Sequence, residues 1–368
     1  MKLCQIYNFA SSYRESIYKL IGNSFDTDWF FGSTLSDIKS MDTRKLRGKV
    51  TIVKNINLLN GKAYWQTNII KQLFKKEYTH YLLLGDERCL STWLFLICSI
   101  FYPQKKIYFW SHGQYGKESF FKKIIEKFFW HFNDGAFLYG NYAKSIMIKN
   151  GFNAEKLHVI HNSLAYDYQL SLRSSNLTSS IYKEHFKNNH HTLIFIGRLT
   201  KVKKLDQILS AVSLLKKKGE NYNIVFIGDG IEKDYLEQFT EKLNIKDQVW
   251  FYGACYDEQT NAKLVYNADI CVAPGNVGLT AVHTLMFGCP VITHNDFPWQ
   301  MPEFEAIHDG ITGSFFERDN VESLAGAISK WFREKSSKRE VVRRACYNEI
   351  DTQWNPYFQM NVIKSVIK

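Results

Sequence analysis

Two short segments, TLIFIG at 192–197 and NIVFIG at 223–228, constrain this chain more than any other feature. Each is an unbroken apolar run of strand length that stops at a glycine. A strand without polar alternation belongs inside a sheet covered on both faces, which is the habit of parallel sheets. Between the two runs, Leu205, Ile208, Leu209, Val212 and Leu215 recur at helical spacing over 205–218. The segment therefore reads strand, helix, strand, and parallel neighbours need such a crossover. Runs at 249–253, 270–273 and 290–293 continue the series. The first half repeats the pattern, with strands expected at 3–7, 29–31, 49–54, 81–84, 107–110, 135–139 and 157–160. The predicted fold class is α/β.

A chain of 368 residues exceeds one ordinary core and predicts two domains. The first is expected over 1–168. A polar stretch rich in Ser and Asn, 169–191, reads as a linker with one short helix. The second domain is expected over 192–350, leaving a terminal segment, 351–368.

With 45% hydrophobic and 23% charged residues, the composition excludes a disordered chain. Lys and Arg outnumber Asp and Glu by 47 − 36 = 11, which favours anionic partners. Nucleic acid is not among those expected, because zinc-finger spacing, an RNP-like strand and long basic blocks are all missing. The seven cysteines are odd in number and form no CxxC pair, as in a cytoplasmic protein with reduced thiols. The opening MKLCQIYNF reads as a strand and not as a signal peptide. The apolar run 90–102 is shorter than the roughly 20 residues of a membrane span and predicts a buried helix.

Several constellations carry chemistry. Gly197-Arg198-Leu199 follows a strand directly, with Lys203 five residues beyond Arg198. Ligands of open α/β sheets bind at such strand ends. An Arg fork and a compact Lys charge can clamp a diphosphate, although Lys201 and Lys204 make a solvated basic loop an equal alternative. Gly228-Asp229-Gly230 looks like the start of a dinucleotide turn, but Lys233 stands in place of a third glycine, so a plain strand-to-helix turn is the better reading. The run 273–280, APGNVGLT, opens a helix. That arrangement suits a phosphate, or else a tight connection needing positive φ at Gly275 and Gly278. His112, in the sequence Trp110-Ser111-His112-Gly113, stands at another strand end and reads either as functional or as structural. Asp26-Thr27-Asp28 reads as a turn and not as a metal ligand. The segment 117–133, KESFFKKIIEKFFWHFN, predicts a basic, aromatic helix. It either faces the core or docks, with Lys71, Lys75 and Lys76, on an anionic membrane.

The order and spacing of these features resemble the family-four retaining glycosyltransferases. The likeness is carried by Gly197, Arg198, Leu199, Lys203, Gly228, Gly230, Glu305, Asp309, Gly310 and Gly313. It is clearest over 193–327 and looser in the first half. It implies the GT-B fold, two Rossmann-like domains facing each other across a cleft, with 351–368 returning to the first. It further implies that Arg198 and Lys203 hold the donor diphosphate and serve catalysis with His112. Gly197, Gly228, Gly230, Gly275, Asn276, Val277, Gly278, Leu279, Thr280 and His283 would border the donor. The stretch 8–18, NFASSYRESIY, resembles the family's acceptor-side loop and sets Tyr13 and Arg14 there with His112. Asn162 matches the family's hinge. One departure stands out: where the family carries two glutamates, this chain has Gly275 and His283. His283 could still bond a ribose, whereas Gly275 offers only its backbone.

The resemblance thus implies transfer of a sugar, with retention, from a nucleoside-diphosphate sugar to a hydroxyl of a glycan acceptor. The acceptor would be lipid-linked, the pathway cell-surface polysaccharide synthesis, and the location the cytoplasm or the inner face of the membrane. No cofactor or metal is expected, since the cations would balance the leaving phosphate. Two alternatives stand beside it, a non-catalytic partner of the same fold and a nucleotide-sugar epimerase.

Overall fold

The computed structural model describes residues 1–33 and 39–367. The chain divides into two compact units, Met1–Ala165 with Asn355–Lys368, and Tyr166–Trp354; Lys368, the end of the expected terminal segment, lies outside the described residues.

In the first unit the chain runs β1 (Lys2–Tyr7), α1 (Glu15–Ser24), β2 (Asp26–Ser33), β3 (Val50–Leu58), β4 (Ala63–Gln66), α2 (Ile70–Leu73), β5 (His80–Leu84), α3 (Leu90–Ser99), β6 (Lys106–Ser111), α4 (Phe120–Phe129), β7 (Gly135–Leu138), α5 (Asn141–Lys149) and β8 (Leu157–Val159). The sheet order is β4-β3-β2-β1-β5-β6-β7-β8. Its pairs are parallel except β3 with β4. Strand periodicity sends Tyr108 and Trp110 to one hydrophobic cluster and Ile107 and Phe109 to the other. Both faces are therefore covered, as continuous apolar strands require.

The second unit holds α6 (Tyr166–Arg173), α7 (Ile181–Phe186), β9 (His191–Ile196), α8 (Asp206–Lys217), β10 (Tyr222–Ile227), α9 (Lys233–Lys242), β11 (Val249–Gly253), α10 (Glu258–Asn267), β12 (Ile270–Ala273), α11 (Leu279–Met286), β13 (Val291–His294), β14 (Gly313–Phe316), α12 (Val321–Lys335) and α13 (Arg339–Thr352). Its sheet, β11-β10-β9-β12-β13-β14, is parallel throughout. Helix α8 buries Ile208, Leu209, Val212 and Leu215, the stripe read from the sequence. Side-chain caps fix helix starts: Asp257 accepts from the Thr260 amide at 2.9 Å and Asn320 from that of Ser323 at 2.9 Å.

The last helix, α14 (Pro356–Val366), belongs to the first unit. Asn355 caps it, accepting from the Phe358 amide at 2.9 Å. Met360, Ile363 and Ile367 join the cluster containing Ile17 and Ile21 of α1. Gln359 donates to the His161 carbonyl at 2.9 Å and accepts from the Ser163 hydroxyl at 2.6 Å.

Four expectations need correction. Asp26-Thr27-Asp28 is not a turn: it starts β2, where Asp28 accepts from the Tyr78 hydroxyl at 2.7 Å and the Lys49 amide at 3.0 Å. The run 90–102 is not a buried helix, because α3 turns Leu94 and Ile97 to solvent, with Ile100 and Phe101 beyond its end also exposed, the latter 80%. The basic aromatic helix is shorter than 117–133, spanning Phe120–Phe129 with a 3-10 turn after it, and its outer face is apolar as well as basic. The stretch 169–191 carries most of α6 and all of α7 and counts within the second unit, which ends at Trp354, not 350.

Candidate functional site

Each sheet has one point where successive connections leave in opposite directions, and ligands of open α/β sheets bind there. In the second unit it lies between β9 and β12. Gly197 ends β9, and the loop 274–278 leaves β12. The turn at Lys203 and this loop are stitched together. The Gly275 amide donates to the Lys203 carbonyl at 3.0 Å. The Lys203 ammonium donates to the Asn276 carbonyl at 2.7 Å and to Asn276 Oδ1 at 2.9 Å. The Thr280 hydroxyl reaches back to the Ile196 carbonyl at 2.9 Å.

The Lys203 pKa is pushed down to about 8, mainly by burial; the Glu303 carboxylate opposes that fall and the Arg198 guanidinium adds to it. The group is thus poised to gain from an anion, which would restore its full charge. Gly278, at φ +54°, precedes α11, and a Cβ on it would lie 3.8 Å from Met301 and 4.0 Å from Lys203 Nζ. The positive end of the α11 dipole and the Lys203 ammonium therefore meet at one place.

The glycines divide by cause. A Cβ on Gly275 would lie 2.0 Å from the Val202 carbonyl oxygen, so the loop has no room for a side chain there. Positive φ, expected at both Gly275 and Gly278, holds only at Gly278. Gly228 and Gly230 would strike the carbonyls of Gly197 and Leu199 at 1.9 and 2.2 Å. Their lack of side chains lets the β10 turn pack on the β9 turn. Val277 is fully buried, and its amide donates to Gln300 Oε1 at 2.9 Å. Arg198 is exposed, and Leu279 and Thr280 are half-buried.

His283 lies on α11, and its Nε2 is 2.8 Å from a carboxylate oxygen of Glu258 on α10. That same oxygen accepts from Gln169 Nε2 at 2.7 Å. Burial alone would raise the Glu258 pKa, but the His283 charge and hydrogen bond outweigh it and leave the carboxyl below its usual range.

Sequence reasoning missed three groups here. Glu258 supplies a carboxylate beside His283. Gln300 braces the glycine loop and also donates to Thr293 Oγ1 at 2.8 Å. Glu303, 2% exposed, is the carboxylate acting on Lys203. None carries a local signal, since each works across elements.

In the first unit the matching point lies between β1 and β5. There Tyr13, Arg14, Asp86, Ser111, His112 and Lys122 help line a cavity of about 490 Å³. His112 stands past β6, its ring centroid 4.7 Å from that of Tyr139. Burial, and next the Arg14 charge, hold its pKa down to about 4, so the imidazole is neutral at physiological pH. Asn162 is buried and accepts from the Ser163 amide at 3.0 Å. Among the described residues, no three His, Cys, Asp or Glu side chains are grouped to hold a metal, and no helix is long and apolar enough to cross a membrane.

Two Rossmann-like α/β units with these strand-end sites define a GT-B fold. Residues 179–348 match the family model described as glycosyl transferases group 1. The chain is similar along its whole length to the solved structure of Anabaena HepE in complex with UDP, with a TM-score of 0.75, 15% identity and coverage of 100% and 99% of the two chains. The lipopolysaccharide outer core galactosyltransferase WaaB gives 0.73, 13%, 100% and 99%. By sequence, it is 26% identical over 211 residues to an uncharacterized glycosyltransferase of Methanocaldococcus jannaschii, 53% of this chain and 52% of that protein. It is 27% identical over 161 residues to an alpha-monoglucosyldiacylglycerol synthase of Streptococcus pneumoniae, 43% and 35%. The first of these matches thus spans about half of its relative's length.

Proposed function

We propose that the protein is a retaining, family-four-type hexosyltransferase, which moves a sugar from a nucleoside-diphosphate sugar to a glycan hydroxyl. The observation that carries this reading is the junction of Lys203, the 274–278 loop and the start of α11 at the β9/β12 switch point, inside the segment matched by the transferase model. The donor diphosphate sits at that junction. Arg198 and Lys203 balance the charge that grows on the leaving phosphate as the bond to the anomeric carbon breaks. The departing phosphate takes the acceptor proton, the acceptor oxygen bonds to the same face of the sugar, and no metal is required. His283, steadied by Glu258, borders the nucleoside ribose, and His112 the transferred sugar. UDP is the first base to test, because Anabaena HepE was solved with UDP and with UDP-glucose.

The acceptor is lipid-linked, and the enzyme works on the cytoplasmic face of a membrane in cell-surface polysaccharide synthesis. Helix α4 supports this. It turns Lys122 and Glu126 to the acceptor cavity and Phe120, Phe121, Ile124, Ile125 and Phe128 outward. Trp93 of α3 stacks on Phe128 at 5.9 Å, which joins this face to the exposed Leu94, Ile97 and Ile100. Such a patch beside lysines suits an anionic bilayer.

A thermal-shift screen against UDP-, GDP-, ADP- and dTDP-sugars, followed by turnover with the best donor, tests the reading. One donor should stabilise the protein, and Arg198→Ala or Lys203→Ala should abolish transfer; full activity in both variants sinks the diphosphate clamp. Flotation with phosphatidylglycerol vesicles tests the membrane face: wild type should float at low salt and Phe121→Glu should not. One observation favours a catalytically silent partner instead, the lack of room for a carboxylate at Gly275; donor binding without turnover would select it.

A further inference from the structure

The cavity of the first unit contains a cation, Arg14, for which the described residues supply no paired carboxylate. Arg14 is 5% exposed, yet it lines the cavity. Its guanidinium carbon lies 4.3 Å from the Tyr7 ring centre, 5.3 Å from that of Trp110 and 5.4 Å from that of Tyr13. One terminal nitrogen donates to the Tyr139 hydroxyl. The other, Nη1, and Nε have no hydrogen-bond partner among the described residues. The other described charged groups of the wall pair with one another and not with Arg14. Asp86 pairs with Arg88 at 2.9 Å, and Lys122 stands 3.4 Å from both Glu87 and Glu126. Next to Arg14, the Nδ1 atom of His112 is also unpartnered among the described residues.

Ring faces soften the burial of a guanidinium but do not fill its in-plane donor sites. A buried fork with two open donors is complementary to the oxygens of an anion, which it binds with directional, charge-assisted bonds. The groups around it stand at the ends of β1, β6 and β7, the side of the sheet where ligands sit.

We propose that this cavity recognises an acceptor through a negatively charged group, a carboxylate or a phosphate, seated on Arg14. This rests on the reading of the first unit as the acceptor side. It goes further by assigning the acceptor an anionic substituent and Arg14 the role of selecting it. Neutral glycans of the same size offer the guanidinium only uncharged acceptors and bind more weakly.

The test is calorimetric titration of the full chain with glucuronate, glucose 6-phosphate and glucose. At least one anion should bind about tenfold more tightly than glucose. The better anion tells carboxylate from phosphate. Arg14→Gln should erase the preference and Arg14→Lys keep part of it, with circular dichroism checking the fold of each. Lys203→Ala, which disables the phosphate junction of the second unit, should leave the preference intact. Equal binding of all three sugars by wild type, failure of both anions to bind at millimolar concentration, or loss of the preference in Lys203→Ala overturns the proposal. The wild-type comparison decides even where a variant fails to fold. UDP-glucose stabilisation of the same samples reports the donor site separately. Donor binding without anion preference defeats this inference alone, and anion preference without donor binding defeats the transferase reading alone.

Discussion

Gly275→Ala tests the loop geometry most directly. The added methyl would lie 2.0 Å from the Val202 carbonyl oxygen and 2.7 Å from the Lys203 Cα. Ordinary carbon contacts stand at about 3.5–4.0 Å, so something must give by roughly 1 Å or more. Both obstacles are backbone, and neither can rotate aside as a side chain would. The turn must retreat while its Lys203 carbonyl holds the Gly275 amide at 3.0 Å and its ammonium is fixed on Asn276 at 2.7 Å. Overpacking costs about 1–3 kcal/mol, and a rigid obstacle puts this case at the upper end. Losing the amide bond adds about 1 kcal/mol. A total near 3–4 kcal/mol corresponds to a melting decrease of about 6–15 °C for a unit of this size. Displacing Lys203 should also weaken UDP-sugar binding at least about tenfold. Scanning calorimetry with and without UDP-glucose measures both. Gly275→Glu, which restores the residue type of the resembling family, should be worse and not better. A melting temperature within about 1 °C of wild type, or added activity in Gly275→Glu, refutes the claim that the turn fills this space.

The remaining predictions concern charge. With the Lys203 pKa near 8, affinity for a diphosphate should be steady below pH 7 and fall as pH rises through 8. Calorimetry in two buffers of different ionisation enthalpy should show proton uptake on binding near pH 8, and pH-independent affinity up to pH 10 would count against Lys203 as the phosphate contact. His112, with a pKa near 4, lies below the unfolded value, so the unfolded chain binds a proton first as the medium is acidified. Its contribution to stability is complete above pH 6.5 and is lost as pH falls toward 4. His112→Asn should recover about 2 kcal/mol of that acid loss in urea melts at pH 4.5 relative to pH 7, and parallel curves for the two proteins would reject the assignment. Glu258→Gln removes the charge facing His283 and should weaken donor binding by about 1–2 kcal/mol, five- to thirtyfold; unchanged affinity with lowered stability would make the pair merely structural.

The parts legible in the sequence were those with local signals. Runs such as TLIFIG declare a buried strand because every side chain is apolar, and Gly197 and Lys203 follow from what a strand end can offer. Short or one-sided elements escaped. The antiparallel edge strand β4 has four residues, and β14 reads GSFF with only its ends buried. The strand 26–33 was trimmed because two aspartates look like a turn, and no local rule foresees that Asp28 meets Tyr78 fifty residues on. For α3, apolar content suggested burial, whereas the helix keeps a greasy outer face. Proximity across elements was hidden altogether. The aromatic box of Arg14 draws on Tyr7, Trp110 and Tyr139, and the Glu258–His283 pair joins two helices. In the sequence Gly275 stands out only as a missing side chain, whereas in space it leaves no room for one.

Helix α14 has a consequence for how the protein is made. Its Met360, Ile363 and Ile367 complete the cluster against α1, so the first unit lacks part of its interior until α14 has been made. A ribosome adding about 5–20 residues per second must first deliver the roughly 190 residues of Tyr166–Trp354. For some ten to forty seconds the N-terminal unit waits, open along α1, while the second unit can already close around its own sheet. The half encoded first is therefore the half finished last, and a nascent chain stalled before Met360 should expose Ile17 and Ile21 to chaperones or to its neighbours.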